Sequence, residues 1–425
     1  YHGEYPEFGK KQSHSKYISL DKLTVSRKRY YELADQVDPE KYYWFKNERE
    51  AAVVDNVYNS MAYSVNIHCR SDVDYASLFS GGIDSSVISK LMAEESLKLN
   101  HCSHYDDIRL MKGLDKVYKN IVHFETCKNL TSKDVIDWIY YSETSGKYEG
   151  IYLEKLCEYA SQRGIKVLLV GDGSDEVLAG YGKNINVWRE EKLGIYKNLK
   201  VIKLFNHLSV KLQNQVSYFS TMLPNVSPAL ALFYRQFDRI KYWDKVFDAY
   251  SFLPLAERKA QASLLFDLRY YLPRFCLRAD TMGVMHGTEL RLPFLNTHYV
   301  EDAVNLPINY KIRTGFLKRS SGKYILRLMA LKAGILKEVI KRKKITTGGK
   351  LEKIYINMFY KTKLEACCEF FKLNDSDIKC IVLKSVNDKP TFNVLVWSLL
   401  SLEILYKLYC QGIKRDTLYN YYEEV

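Results

Sequence analysis

Two hydrophobic periods alternate along the first half of the chain. From Glu48 to about Asn66 the apolar positions Ala52, Val53, Val57, Met61 and Val65 return every three to four residues, which predicts an amphipathic helix. An apolar run ending in Leu78-Phe79 then stops at Gly81-Gly82, and Ser85 to Met92 resumes at helical spacing, so the segment reads as strand, tight loop, helix. Further strands are predicted at His101–Tyr105 and Ile121–Phe124, with a helix over Ile108–Lys119 between them. Tyr152 to Gln162 predicts a helix with Gly164 as C-cap, and Ile165–Val170 a strand that opens into Gly171-Asp172-Gly173-Ser174-Asp175-Glu176. Strands alternating with helices predict βαβ units, an α/β fold with an open parallel sheet and flanking helices. Residues 183–262 carry few turn signals and predict helices, and Leu395–Leu408 around Trp397 predicts a closing helix, so the C-terminal half is helix-rich. The first 50 residues are polar and tyrosine-rich, with strand-like pieces at Tyr17–Leu20 and Arg29–Leu33.

The glycine loop after Phe79 has the chemistry of an anion trap. Gly81 and Gly82 can take the positive φ values that aim backbone N–H groups into one concavity, and the following helix points its positive end at the same place. The hydroxyls of Ser80, Ser85 and Ser86 can add hydrogen bonds to phosphate oxygens. Asp84 belongs beside phosphates if Mg²⁺ bridges the two. Taken alone, the pattern also describes a glycine turn capped by serines. In an open parallel sheet the ligand site lies beyond the carboxyl ends of the strands, so this loop and Gly171–Glu176 are both expected to face one pocket. That gathers Asp84, Asp172, Asp175 and Glu176, more negative charge than a triphosphate tolerates without metal ions. A buried Glu289–Arg291 pair beside Pro293 reads as structural. Lys323 opens a helix where its ammonium could enter a phosphate site; Lys341–Lys344, Lys343 among them, reads first as a solvated charged face, and its run into Gly348-Gly349 also offers a pyrophosphate contact.

Composition narrows the setting. The 425 residues hold 63 basic and 50 acidic side chains, a net charge of +13 that suits an anionic substrate as well as nucleic acid. Nine scattered cysteines without a Cys-x-x-Cys pair point to reduced thiols in a cytoplasmic protein and argue against zinc or iron–sulfur chemistry. The apolar stretch Val394–Tyr409 is interrupted by Glu403 and Lys407 and is short for a bilayer.

The loop resembles the pyrophosphate loop of the N-type ATP pyrophosphatases, which cleave ATP between the α and β phosphates. In order along the chain, Ser80–Ser86, Gly171–Tyr181, Asp267–Pro273, Asp280-Thr281-Met282, Glu289–Asn296, Gly322–Arg327 and the Trp397 helix resemble the synthetase domain of the asparagine synthetase family, over roughly residues 17–410. The resemblance implies an adenine nucleotide alpha hydrolase-like ATP pyrophosphatase domain over 51–425, with a helical insertion at about 183–262. Residues 1–50 would resemble the connector from a glutaminase domain. Implied for ATP and pyrophosphate are Ser80, Gly81, Gly82, Asp84, Ser85, Ser86, Gly171, Gly173 and Lys343; for Mg²⁺, Asp84 and Asp175; for catalysis, Lys323 as charge stabiliser and Asp172 as general base.

The chain departs from the family at three places. Asp172 stands where asparagine synthetases commonly carry Glu. Asn296 stands where the motif usually ends in Asp. No cysteine precedes Cys69, and a leader of about 65 residues is short for a glutaminase domain of roughly 100–200 residues. The expected activity is ATP-dependent, AMP-forming ligation of a small-molecule or peptide carboxylate to ammonia or an amine, with the nitrogen free, supplied by a separate glutaminase, or carried by another amine. Membrane is not expected as a partner, nucleic acid is disfavoured, and a homo-oligomer is compatible. The alternatives are a tRNA-modifying, lysidine-synthetase-like enzyme, which net charge suits but Gly171–Glu176 does not, and a non-catalytic nucleotide-binding scaffold.

Overall fold

The computed structural model describes residues 3–9, 24–95, 99–104, 121–126, 130–143, 150–193, 238–314, 321–341 and 349–423. The predicted strand at Tyr17–Leu20, the helix Ile108–Lys119, Lys343 and the glycine pair's approach from Lys344 lie outside them. The chain forms two compact units, each entered more than once. One comprises Tyr1–Met61, Gly173–Leu272 and Phe294–Ile325, and the other Ala62–Asp172, Pro273–Pro293 and Leu326–Val425.

In the first unit, β1 (Gly3–Gly9) and β2 (Thr24–Tyr31) form an antiparallel ribbon. The strand expected at Arg29–Leu33 therefore lies earlier in the chain. It ends where Leu33–Gln36 turns into a short 3₁₀ helix and Glu32, buried, takes the Arg29 guanidinium at 2.6 Å. Asp38 caps the helix Pro39–Asn47 by accepting from the N–H groups of Glu40 and Lys41, with Pro39 preset for the first turn. Helices Gly182–Leu193, Asp238–Ala249 and Leu255–Tyr270 answer the helical reading of residues 183–262 wherever that stretch is described.

The second unit holds the sheet. Strands β3 (Tyr75–Phe79), β4 (Leu99–His104), β5 (Ile121–Thr126), β6 (Val167–Leu169) and β7 (Glu289–Arg291) are ordered β5-β4-β3-β6-β7 and pair in parallel throughout. The α/β class and the open parallel sheet are thus as the sequence implied. β6 is shorter than its apolar run because Lys166 and Val170 continue the contact with single backbone bonds, to Glu289 N–H and Arg291 C=O. Gly164, at φ +76°, closes the helix Gly150–Ser161 as its predicted cap.

The Glu289–Arg291 pair is not buried as expected. Glu289 is exposed, while Arg291 turns inward and donates to the carbonyls of His68 and Arg70 at 2.8 and 2.7 Å. The residue that matters to packing is the arginine. Its guanidinium also holds the Glu289 carboxyl below its usual range.

Ala76, Leu78, Leu168 and Val170 of the sheet share a core with Trp138, Met282, Tyr355, Trp397 and Leu400. The segment Thr391–Cys410 is long and apolar enough to cross a membrane by length and composition, yet half of its window is buried inside the unit. Within it Glu403 is fully buried and accepts from the Ala366 N–H at 3.0 Å. A carboxylate capping another helix inside a core marks a packed helix of a folded domain.

Candidate active site

The strand order reverses between β3 and β6, since the chain leaves β3 for β4 on one side and reaches β6 on the other. In an open parallel sheet such a reversal opens a crevice at the carboxyl ends, where ligands bind. The two loops singled out by sequence leave these two strands.

After β3, Gly81 takes φ +63° and the helix Ile83–Glu95 begins. Its first-turn N–H groups have no carbonyl to bond within the helix and face the loop, the arrangement that favours an anion. The serine hydroxyls brace the loop from within. Ser85 Oγ accepts from Ser80 N–H at 3.1 Å and donates to the Gly82 carbonyl at 3.2 Å, and Ser86 Oγ donates to the same carbonyl at 2.8 Å. Ser85 and Ser86 are buried and Ser80 is exposed, so Ser80 presents the solvent-facing hydroxyl.

Gly171, after β6, packs on this loop. A Cβ there would stand 3.0 Å from that of Asp84 and 3.5 Å from the Ser85 nitrogen. Arg327 supplies a positive charge to Asp84; burial pulls its guanidinium below the ordinary value and the aspartate's charge pulls it back up. Asp172 Oδ2 lies 3.4 Å from a guanidinium nitrogen of Arg278, on the helix Pro273–Met285. Sequence gave neither arginine a role. Arg327 stood inside a motif and Arg278 beside one, but nothing in their spacing shows which carboxylate each meets.

In the first unit, Lys323 Nζ meets Asp175 Oδ1 at 2.8 Å, with Lys323 only 7% exposed. Its backbone stands at φ +55° and Ala179 at +58°, both left-handed and unfavourable for side chains with a Cβ. Lys323 N–H binds the Leu178 carbonyl at 3.0 Å and Gly180 N–H that of Asp175 at 2.8 Å, which fixes the pair of strained residues. Strain that the surroundings over-determine is characteristic of functional sites. Glu176, expected beside the other carboxylates, is buried and accepts the Tyr181 hydroxyl at 2.6 Å. Burial and that carboxylate drive the Tyr181 pKa up, so the phenol stays a donor. Gly173, at φ +92°, lies against Leu295, where a Cβ would come within 2.4 Å. Asn296 caps the helix Thr297–Asn305 by accepting from His298 N–H at 3.1 Å, which an amide does as well as a carboxylate.

Gly180 is a demanding position. A Cβ there would stand 1.8 Å from Asp175 Oδ1 and 2.4 Å from Lys323 Cε. Gly180→Ala is expected to separate the ion pair, at a cost of about 1–3 kcal/mol in stability and with a loss of at least ~10-fold in activity. Denaturant melts and kinetics on the same preparation check it; an alanine variant with unchanged kinetics would show that the pair is not needed as built.

The residues fit phosphate and a metal that arrives with it. Mg²⁺ usually takes one or two protein carboxylates and completes its octahedron with phosphate oxygens and water. Among the described residues no three His, Cys, Asp or Glu side chains gather as a protein cage, whereas Asp84 stands in the first turn of the helix that follows Gly81.

The sheet and its loops define an α/β ATP pyrophosphatase-like domain. Residues 56–361 match the asparagine synthase family, and the chain belongs to that family. It is 25% identical over 351 residues to asparagine synthetase (glutamine-hydrolyzing) 1 of Bacillus subtilis, covering 70% of this chain and 49% of that protein. It is 29% identical over 182 residues to "Putative asparagine synthetase (glutamine-hydrolyzing) 2" of Methanocaldococcus jannaschii, covering 40% of this chain and 33% of that protein. The chain therefore spans at most about half the length of these curated relatives.

Proposed function

We propose that this chain is a carbon–nitrogen ligase that activates a carboxylate with ATP, forms an acyl-adenylate, and passes the acyl group to ammonia or an amine with release of AMP and pyrophosphate. The observation that carries the reading is the left-handed Gly81 turn, braced by Ser85 and Ser86, at the start of a helix and at the strand-order reversal. Family membership supports it, and the relatives' names, glutamine-hydrolysing asparagine synthetases, support ammonia as one nitrogen source.

In this reading Ser80, Gly81, Gly82, Ser85 and Ser86 form the pyrophosphate cradle, with Gly171 allowing close approach; Gly173 and Lys343 are further proposed contacts. Asp84 and Asp175 are the proposed Mg²⁺ ligands. The metal would neutralise charge on the phosphates. The carboxylate oxygen attacks the α-phosphorus and pyrophosphate leaves. Lys323 stabilises negative charge that develops during the reaction, an electrostatic effect that requires no rearrangement at the moment of reaction. Asp172 accepts the proton that the attacking nitrogen sheds. Asparagine-like amidation, amidation of another small metabolite and ring closure all share these steps. We place the reaction in the cytoplasm; the seven cysteines found free among the described residues support that.

Carboxylate-dependent exchange of labelled pyrophosphate into ATP tests the first half-reaction. Aspartate and a panel of other carboxylates are expected to include at least one that drives exchange, with Asp84→Ala lowering it on the order of 100-fold. No exchange with any carboxylate, or exchange indifferent to Asp84, would remove the adenylation reading.

A further inference from the structure

The contact between Asp172 and Arg278 is incomplete. A carboxylate and a guanidinium that satisfy each other form two parallel bonds of about 2.7–2.9 Å. Here one nitrogen lies 3.4 Å from one oxygen. Arg278 Nε is buried and has no hydrogen-bond partner among the described residues. A buried donor without an acceptor is costly, and a ligand that supplied the acceptor would relieve that cost.

The guanidinium is nonetheless held in place. The Phe275 ring packs on it at 5.0 Å, and Arg274 lies 4.9 Å from the same ring, so a second cation reinforces the positive field. Both members of the pair remain reachable, with side-chain exposures of 32% for Asp172 and 19% for Arg278. They sit at the carboxyl end of β6, beside the strand-order reversal. A fixed anion with a fixed, under-used cation next to it complements one common kind of small molecule, which carries an amine and a carboxylate on neighbouring atoms.

We propose that the Asp172–Arg278 pair receives an α-amino acid as the nitrogen nucleophile, its carboxylate on the Arg278 fork and its amine against Asp172. The proposal rests on the amide-ligase reading above and narrows its nitrogen donor. In the step it assigns, the neutral amine nitrogen attacks the acyl carbon and the N–C bond forms. The bond from that carbon to the phosphate oxygen of AMP breaks with its electron pair going to AMP, and the proton shed by nitrogen passes to Asp172. Ammonia can use Asp172 but leaves Arg278 Nε unpaired, so the site prefers the amino acid.

The test uses the full chain with Mg·ATP and the acyl substrate that best drives pyrophosphate exchange. Glycine is compared with methylamine, alanine with ethylamine, and each with ammonium, the amide products being measured by mass spectrometry. Amino acids are expected to exceed their decarboxylated counterparts by ~10–100-fold in kcat/KM, the worth of a charge-assisted pair. Arg278→Met brings that ratio towards one and Arg278→Lys keeps part of it; because the ratio is read within each variant, a general loss of active protein cancels. Equal use of glycine and methylamine, preference for ammonium, or a ratio untouched by either substitution overturns the proposal. It is also overturned if Arg278→Met raises the KM of the acyl substrate while leaving the amine ratio intact, which would assign Arg278 to the other reactant. Absence of carboxylate-dependent exchange in the wild type is seen before any amine is added; it removes the ligase reading, and this inference with it.

Discussion

Lys323→Met is expected to lower the rate of amide formation by ~10²–10³-fold, the range found when a preorganised charge-stabilising group is removed. The ammonium is held by Asp175 at 2.8 Å and almost wholly screened from solvent, so its field acts undiluted. Its position is also costly to maintain. A left-handed backbone costs an L-residue roughly 1–2 kcal/mol, and Lys323 stands there at φ +55°. Lys323→Gly separates the two effects, because glycine relieves the backbone while removing the ammonium. It should be as inactive as the methionine variant and lose less stability. Lys323→Arg should fail to restore activity, since a forked guanidinium does not fit beside Gly180, where a Cβ would already stand 2.4 Å from Lys323 Cε. Single-turnover rates and denaturant melts on the three variants check this. Full activity in Lys323→Arg would show that charge alone suffices and that the left-handed geometry has no catalytic part.

What the sequence disclosed followed from local physics. The turn at Gly81-Gly82 was legible because glycine enters such a turn cheaply, although Gly81 takes the positive φ expected of both residues and Gly82 does not, and the helices were legible because apolar residues return at a helical step. β4 and β5 appear within two residues of their expected starts. β7 was not legible as a strand; three residues have no measurable period, and its existence depends on backbone bonds to β6. The pairing of Asp175 with Lys323 was equally hidden, since each carried a proposed role and neither role named the other as a partner. The serine hydroxyls show a subtler limit. Their residue type announced phosphate chemistry, and nothing in it announced that those of Ser85 and Ser86 also brace the loop's own backbone. Glu289 and Arg291 were read as one buried pair because local sequence cannot assign burial separately to two neighbouring charges; the arginine found backbone carbonyls and the glutamate stayed in water.

Lys311→Met is expected to stabilise the chain by about 2–4 kcal/mol at pH 6 and to lose that advantage by about pH 10. Lys311 ends the short helix Ile308–Lys311 and is 1% exposed, with Gln261 Oε1 at 2.8 Å as the acceptor for its ammonium. Gln261 in turn donates to the Leu306 carbonyl at 2.7 Å, and the surrounding elements contribute Ala260, Leu264, Ile308 and Ile312 to an apolar cluster. Burial without a carboxylate partner pulls the Lys311 pKa down from 10.5 to about 7. The sign follows from proton uptake. Between pH 7 and 10.5 the unfolded chain holds a proton that the native state has released, so stability rises with pH through that window and is lowest, for this group, below pH 7. At 1.36 kcal/mol per unit the ceiling is about 5 kcal/mol, and leaving Gln261 Oε1 without its donor returns about 1 kcal/mol or more. The measurement is the difference in unfolding free energy between wild type and Lys311→Met at pH 6, 8 and 10. In that difference the buried tyrosines, which also titrate late, cancel. A gain that shrinks with rising pH establishes a lysine destabilised by its own charge. A difference flat from pH 6 to 10 would mean that Lys311 remains protonated in the native state throughout, and that the surrounding cluster tolerates the charge.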